Sequence, residues 1–243
     1  MTSVVLGHIP FALIGILVFG LPNLNGLSYI LASALLHFFY QIFLLSAYKF
    51  GELSEIYPIA RGLSPLLIIT ISLLFFEENI SSHEVVGIFL ISLSLIIYGL
   101  KQFLSRDSSI KGFSLAIITG CFIASYSIVD GYGARVTQNP IGFYSTMTLI
   151  NGLIFYFYAK WKDRDIIKRI FISGKRSFFI GGTASYAAYG IVVWACLFLP
   201  IAVVSSIRET SILLGFFLKE KINLIKSFLI VGLFFGLLFL RVG

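Results

Sequence analysis

The chain has 243 residues, of which 58% are hydrophobic and only 12% charged, with a formal charge of +7. A soluble domain carries about 25% charged residues, so this sequence cannot clothe a water-facing surface. The basic residues are scattered over short connections, which fits control of membrane topology rather than a nucleic-acid partner.

Apolar runs such as 63–76, 85–100 and 222–240 approach the length of about 20 residues that crosses a bilayer. Lipid offers no hydrogen-bond partner, so each run must satisfy its backbone internally. The runs lack strand-like alternation and exceed the ~10 residues of a barrel strand. They predict an all-α polytopic membrane protein of about nine transmembrane helices.

The first helix is predicted near 3–20. No basic residue precedes Val4 and no small-x-small site follows Phe19, so the segment reads as a retained helix and not a signal peptide. After the turn Leu21-Pro-Asn-Leu-Asn-Gly26, a helix near 27–49 carries His37, Gln41, Leu44 and Tyr48 at i, i+4, i+7 and i+11, beside Tyr40. That mostly polar face must turn inward in lipid. Next come helices near 53–76 and 84–103, separated by Glu77-Glu-Asn-Ile-Ser-Ser-His83. A helix near 112–130 is predicted to break at Gly131-Tyr-Gly133, and one near 141–159 follows Asn139-Pro140. The sole sizeable loop is 160–176. Helices near 177–198, 200–218 and 223–241 complete the chain, the break between the first two falling at Pro200.

Tyr126 and Asp130 form one further polar stripe, and Tyr144, Thr148 and Asn151 another. Tyr186, Tyr189 and Trp194 place aromatics on the seventh helix. These stripes serve either as a cavity wall or as interhelical hydrogen bonding, worth about 0.6 kcal/mol per contact. Cys121 and Cys196 read as packing residues within helices. Gly232 and Gly236 make a GxxxG on the last helix, a packing surface and a candidate homodimer interface.

Fourteen of the eighteen Lys and Arg residues fall on one side when connections are numbered alternately: Lys49, Lys101, Arg106, Lys111, seven in the 160–176 loop, Lys219, Lys221 and Lys226. The other side holds Arg135 and Arg241. Basic residues stay cytoplasmic, so the amino terminus is expected inside and the carboxy terminus outside a cell (plasma or inner) membrane.

The remaining two, Arg61 and Arg208, lie within predicted helices in similar surroundings. Leu53-Ser-Glu-Ile-Tyr-Pro-Ile-Ala-Arg61-Gly-Leu-Ser parallels Pro200-Ile-Ala-Val-Val-Ser-Ser-Ile-Arg208-Glu-Thr-Ser. Each is followed by an apolar stretch, an acidic end (Glu77-Glu78, Glu220), a polar turn and a final apolar helix. The two copies start from opposite sides, as in the inverted repeats of secondary transporters. The chain then divides into 1–105, a first repeat of four helices, and 106–243, a second of five, forming one membrane domain.

The segment Ala47-Tyr-Lys-Phe-Gly-Glu-Leu-Ser-Glu-Ile-Tyr-Pro-Ile-Ala-Arg-Gly62, with Glu77-Glu78, resembles the first-repeat signature of the drug/metabolite transporter superfamily, EamA-type branch. Ile207-Arg-Glu-Thr-Ser211, ending at Leu218-Lys-Glu-Lys-Ile222, resembles the second. The resemblance implies ten helices, five per repeat, with both termini cytoplasmic and a substrate cavity between the repeats. Against that pattern this chain shows nine helices, with the first of ten wanting. Arg208 to Glu220 is also shorter than Arg61 to Glu77 by about one helical turn, and the charge distribution places the carboxy terminus outside.

Arg61 and Arg208 each lie about 12 Å into their helices, where a charge costs at least roughly 2.5–3.5 kcal/mol. Either they line a transport path and meet an anionic or carbonyl group of a substrate, or they snorkel or lock helices together. Candidate substrate-binding residues are Arg61, Arg208, Tyr57, His37, Gln41, Glu209, Tyr126, Asn151 and Trp194. Glu52 and Glu55 suit the positive end of the helix dipole, with substrate or proton binding as the alternative. Glu209 is a candidate proton-coupling carboxylate whose neighbour Arg208 is expected to point elsewhere, and His37 is a weaker proton candidate. Glu77, Glu78 and Glu220 are expected to cap helices or lie at the lipid interface.

No metal cluster, phosphate loop or nucleophile elbow is present, and no cofactor is expected. The function implied is secondary transport of small organic metabolites by alternating access, with efflux suggested by the resemblance. The rivals are a non-transporting truncated remnant or assembly partner, and an intramembrane enzyme. The enzyme would need clustered His, Asp or Cys, and only His37 is placed within a helix.

Overall fold

The computed structural model describes residues 2–76, 78–105, 109–212 and 224–242. Among these described residues ten α-helices follow in order: α1 (Thr2–Phe19), α2 (Leu27–Ala47), α3 (Leu53–Phe75), α4 (Ser82–Ser105), α5 (Ile110–Thr137), α6 (Pro140–Lys162), α7 (Ile166–Ser173), α8 (Gly182–Ala195), α9 (Ile201–Glu209) and α10 (Leu224–Val242). Among the described residues there is no strand. Among these residues seven segments are long and apolar enough to cross a membrane: α1 to α5, the run Ser177–Ala195 that ends in α8, and α10. The protein is an all-α polytopic membrane protein. α6 has the length, 23 residues, but its Tyr, Ser, Thr and Asn residues dilute its apolar character.

Four expectations are corrected. No break occurs at Gly131-Tyr-Gly133, because α5 runs on to Thr137. Gly133 there serves close packing: a Cβ on it would stand 3.0 Å from Cβ of Tyr29. The 160–176 connection is not simply a loop, since it holds α7, whose Ile170 is buried. Only Cys196 of the two cysteines packs inside, just past the end of α8, whereas Cys121 is exposed on α5. Finally, the continuous helix from Ile201 stops at Glu209, with a turn through Thr210 and Ser211, while 213–218 of the expected helix lie outside the described residues. Its nine residues span about 13 Å, less than half of a ~30 Å hydrocarbon core.

The chain forms two compact units, each drawing helices from both sequence halves. Unit 1 is Met1–Phe39 with Val129–Phe198; unit 2 is Tyr40–Ile128 with Leu199–Gly243. α2 and α5 each contribute to both. In unit 1, α1 packs on α6 and α8. A Cβ added to Gly182 of α8 would meet the Gly7 carbonyl carbon of α1 at 2.8 Å, so only paired glycines allow this approach. The unit's core gathers Ile30, Ala34, Phe143, Met147 and Val193. Asn139 caps α6 by accepting the N–H of Gly142 at 2.9 Å and donates to the Phe19 carbonyl at 2.9 Å.

In unit 2, α3 packs on α4 and α9, and α4 on α10. The helices that the sequence pairs as repeat counterparts, α3 with α9 and α4 with α10, are therefore neighbours. The face of α10 bearing Gly232 and Gly236 is occupied within the chain, by Ser94, Ile91 and Gly87 of α4. α3 opens with a capping box in which Glu52 and Glu55 satisfy each other's backbone N–H groups, the dipole-end role expected of them. Glu78, beyond the end of α3, accepts the N–H of Ile201 at the start of α9 at 3.3 Å. It is thus a cap, and it fixes α3 and α9 as antiparallel.

Candidate functional site

Two prolines interrupt the backbone bonding of α3, Pro58 and Pro65. Proline has no N–H, so Pro65 releases the carbonyl four residues earlier, which belongs to Arg61. The hydroxyl of Ser64 takes that carbonyl at 3.3 Å. Arg61 therefore projects from a locally loosened turn, about 12 Å along a helix of 23 residues.

Its guanidinium meets Glu209, the last residue of α9. Arg61 Nη1 donates to both carboxylate oxygens, at 3.1 and 3.0 Å. Arg208 donates Nε and Nη2 to Glu209 Oε1, at 3.1 and 3.0 Å. The expectation that Arg208 and Glu209 diverge is corrected. Successive residues do diverge along a helix, but α9 ends here, and the long arginine side chain curls round the terminus to its neighbour. The C-terminal carbonyls of α9 add partial negative charge beside both cations.

Glu209 is 1% exposed, with Arg208 at 11% and Arg61 at 15%. Two guanidinium groups thus share one buried carboxylate. Tyrosine rings add to the site: Arg61 stands over Tyr57, its Cζ 4.8 Å from the ring centroid, and Arg208 over Tyr126 at 5.9 Å. Tyr126 in turn packs edge-on to Tyr40 at 5.3 Å. Arg61 Nε is buried and has no hydrogen-bond partner among the described residues.

Five sequence candidates thus converge in unit 2: Arg61, Arg208, Glu209, Tyr57 and Tyr126. Gln41 is buried in the same unit. The other three belong to unit 1. Asn151 Nδ2 donates to the Ala34 carbonyl at 3.1 Å, an interhelical bond. Trp194 is half exposed beside an apolar cavity of about 190 Å³ that it lines with Ile141, Tyr144, Tyr186 and Gly190. His37 Nε2 lies 2.9 Å from Asp130 Oδ2, on a carboxylate that the sequence reading noted only as part of a stripe. His37 is not alone within a helix, since α1 holds His8 and α4 holds His83. Glu77 and Glu220, with Lys219 and Lys221, lie outside the described residues.

No group of three or more His, Cys, Asp or Glu suited to a metal ion occurs among the described residues. No protein-family model matches the chain, and no curated protein matches it.

Proposed function

We propose that this membrane protein is a secondary transporter that moves a small anionic or carbonyl-bearing metabolite by alternating access, with Arg61 and Arg208 as its anion-binding pair. The observation that carries the reading is the convergence of two guanidinium groups on one buried carboxylate, Glu209. A structural ion pair needs one cation per carboxylate, whereas two guanidinium groups side by side suit a visiting anion. The anion either joins Glu209 or exchanges with it on the arginines.

Three further features support this. α9 ends at the site instead of running through, like the discontinuous helices that build midplane sites in transporters. The repeat counterparts α3 and α9 are antiparallel neighbours, as an inverted repeat requires. The signatures around Arg61 and Arg208 resemble those of EamA-type drug/metabolite transporters, whose usual direction is efflux. The amino terminus is assigned to the cytoplasm on the charge distribution.

The test is reconstitution into proteoliposomes with a panel of organic acids, amino acids and neutral metabolites. Counterflow of at least one solute is expected, reduced tenfold or more by Arg61→Ala and by Arg208→Ala. Flux unaffected by both substitutions would remove the arginines from the path. A folded wild-type protein that moves nothing on the panel would favour the remnant or assembly-partner reading.

A further inference from the structure

We infer that unit 1 contains a proton-binding site, formed by Asp130 and His37 with Ser33 and Tyr189, separate in residues and in charge from the arginine site of unit 2. Asp130 sits about 10 Å inside the end of α5 and is 1% exposed. It receives Tyr189 OH at 2.7 Å, the Ser33 hydroxyl, and His37 Nε2 at 2.9 Å. These come from α8 and α2, so three helices close on one carboxylate. Among the described residues no lysine or arginine pairs with it.

The titratable groups around this carboxylate can be named element by element. α2 supplies His37, whose ring stands edge-on to Tyr189 at 5.5 Å. α8 supplies Tyr189 and Tyr186, and α6 supplies Tyr144, which packs against both at 5.4 and 4.9 Å. α1 supplies His8, 6.2 Å from the Tyr186 ring, with its Nε2 buried and without a hydrogen-bond partner among the described residues. On α5 the next charged residue, Arg135, donates Nε to the Cys196 carbonyl at 2.8 Å.

Protonation decides the charge of this cluster. Serine and tyrosine donate as neutral groups, so with a neutral imidazole the cluster carries −1. A neutral His37 must donate Nε2–H to an ionised Asp130, and one proton added to the ring makes it imidazolium and the cluster neutral. The added proton goes to Nδ1, so one N–H bond forms there as hydronium gives up an O–H, and no other bond changes. Histidine is the side chain whose charge ordinarily changes between about pH 5 and 8. The arginines of unit 2 keep their protons throughout. The two units thus offer different chemistry: a pair able to take up a proton in unit 1, and fixed cations that suit an anion in unit 2.

The role in coupling rests on the transport reading, but proton binding itself does not, and two measurements keep them apart. The first is proton uptake by the purified full-length protein in detergent, shifted from about pH 8 to about pH 5 with an indicator dye. The double substitution His37→Gln with Asp130→Asn keeps a hydrogen-bonded pair of similar size and has nothing to titrate. Wild type should take up one proton per chain more than this variant, and the difference should persist when both carry His8→Gln. Equal uptake overturns the proposal. Size-exclusion profiles identify misfolded protein, in which case Asp130→Asn and His37→Gln are each measured singly; uptake equal to wild type in both overturns it too.

The second measurement is counterflow with and without an imposed proton gradient. The ratio of the two rates should exceed unity several-fold in wild type and fall to unity in the double variant. A ratio that stays the same in both overturns the coupling role. An uptake difference without any solute flux would leave the proton site standing and remove the transporter reading. Arginine-dependent flux without an uptake difference would do the reverse.

Discussion

Arg61 and Glu209 are 148 positions apart in the chain and share two hydrogen bonds through one guanidinium nitrogen. Because Arg208 holds the same carboxylate, the three substitutions at this site are not equivalent. Glu209→Gln takes from two cations the carboxylate that they share, whereas Arg61→Ala or Arg208→Ala leaves Glu209 one partner. Orphaning a buried charge costs about 3–5 kcal/mol. Thermal unfolding in nanodiscs should show Glu209→Gln as the most destabilised of the three. Equal stability for all three would mean that solvent, and not the carboxylate, satisfies the arginines.

The closeness of α4 and α10 rests on Gly87 and Gly236. A Cβ on Gly87 would lie 2.8 Å from the Gly236 carbonyl oxygen, and one on Gly236 would lie 3.0 Å from the Gly87 carbonyl oxygen. Backbone cannot yield as a side chain can, so the helices must part. Gly87→Val is expected to cost about 1–3 kcal/mol, the usual range for overpacking. Gly112 also stands close to backbone, that of Phe50, but it lies in the first turn of α5, where separation is easier. Gly112→Ala should therefore lower the unfolding temperature less than Gly87→Val.

Asn139 holds two connections at once, the first turn of α6 and the end of α1. Replacing it with alanine removes a cap worth about 1 kcal/mol and the bond to Phe19. Asn139→Asp keeps the acceptor for Gly142 but loses the donor, so it should recover part of the stability. Recovery by Asp to the wild-type level would show that the bond to Phe19 contributes nothing.

Most of the helices could be read from sequence because lipid leaves the backbone no alternative to internal bonding. The runs that became α1, α3, α4 and α10 declared themselves by length alone. The misreadings lie where that constraint is weak. α7 has eight residues inside a basic connection, too short to register as a span. Gly131 and Gly133 suggested a turn by composition, whereas α5 runs on unbroken and the missing side chain of Gly133 lets Phe143 and Tyr29 approach.

The candidate site was legible in its members but not in its wiring. A buried Arg in each copy marked Arg61 and Arg208, since charges at that depth need a reason. That both would share Glu209 depends on α9 ending at that residue, and nothing local in Ile207-Arg-Glu-Thr-Ser211 announces a helix end. The Asp130 cluster was harder still. Its partners Ser33, His37 and Tyr189 lie 97, 93 and 59 positions away, and no periodicity links residues across such distances. The hint was an aspartate inside an apolar run, which requires a donor set somewhere.

Orientation makes the last prediction. α7 carries Lys168 and Arg169, both exposed, within the connection richest in basic residues. Gln138, also exposed, lies between α5 and α6 on the side that holds Arg135. Basic segments remain cytoplasmic because their transfer is resisted, so these two positions should lie on opposite sides of the membrane. With Cys121 replaced by Ala and Cys196, which is buried, left in place, Gln138→Cys should react with an impermeant thiol reagent on intact cells. Lys168→Cys should react only after permeabilisation. The reverse pattern would place the amino terminus outside, and the same pattern for both cysteines would mean that the stretch between them crosses the membrane an even number of times.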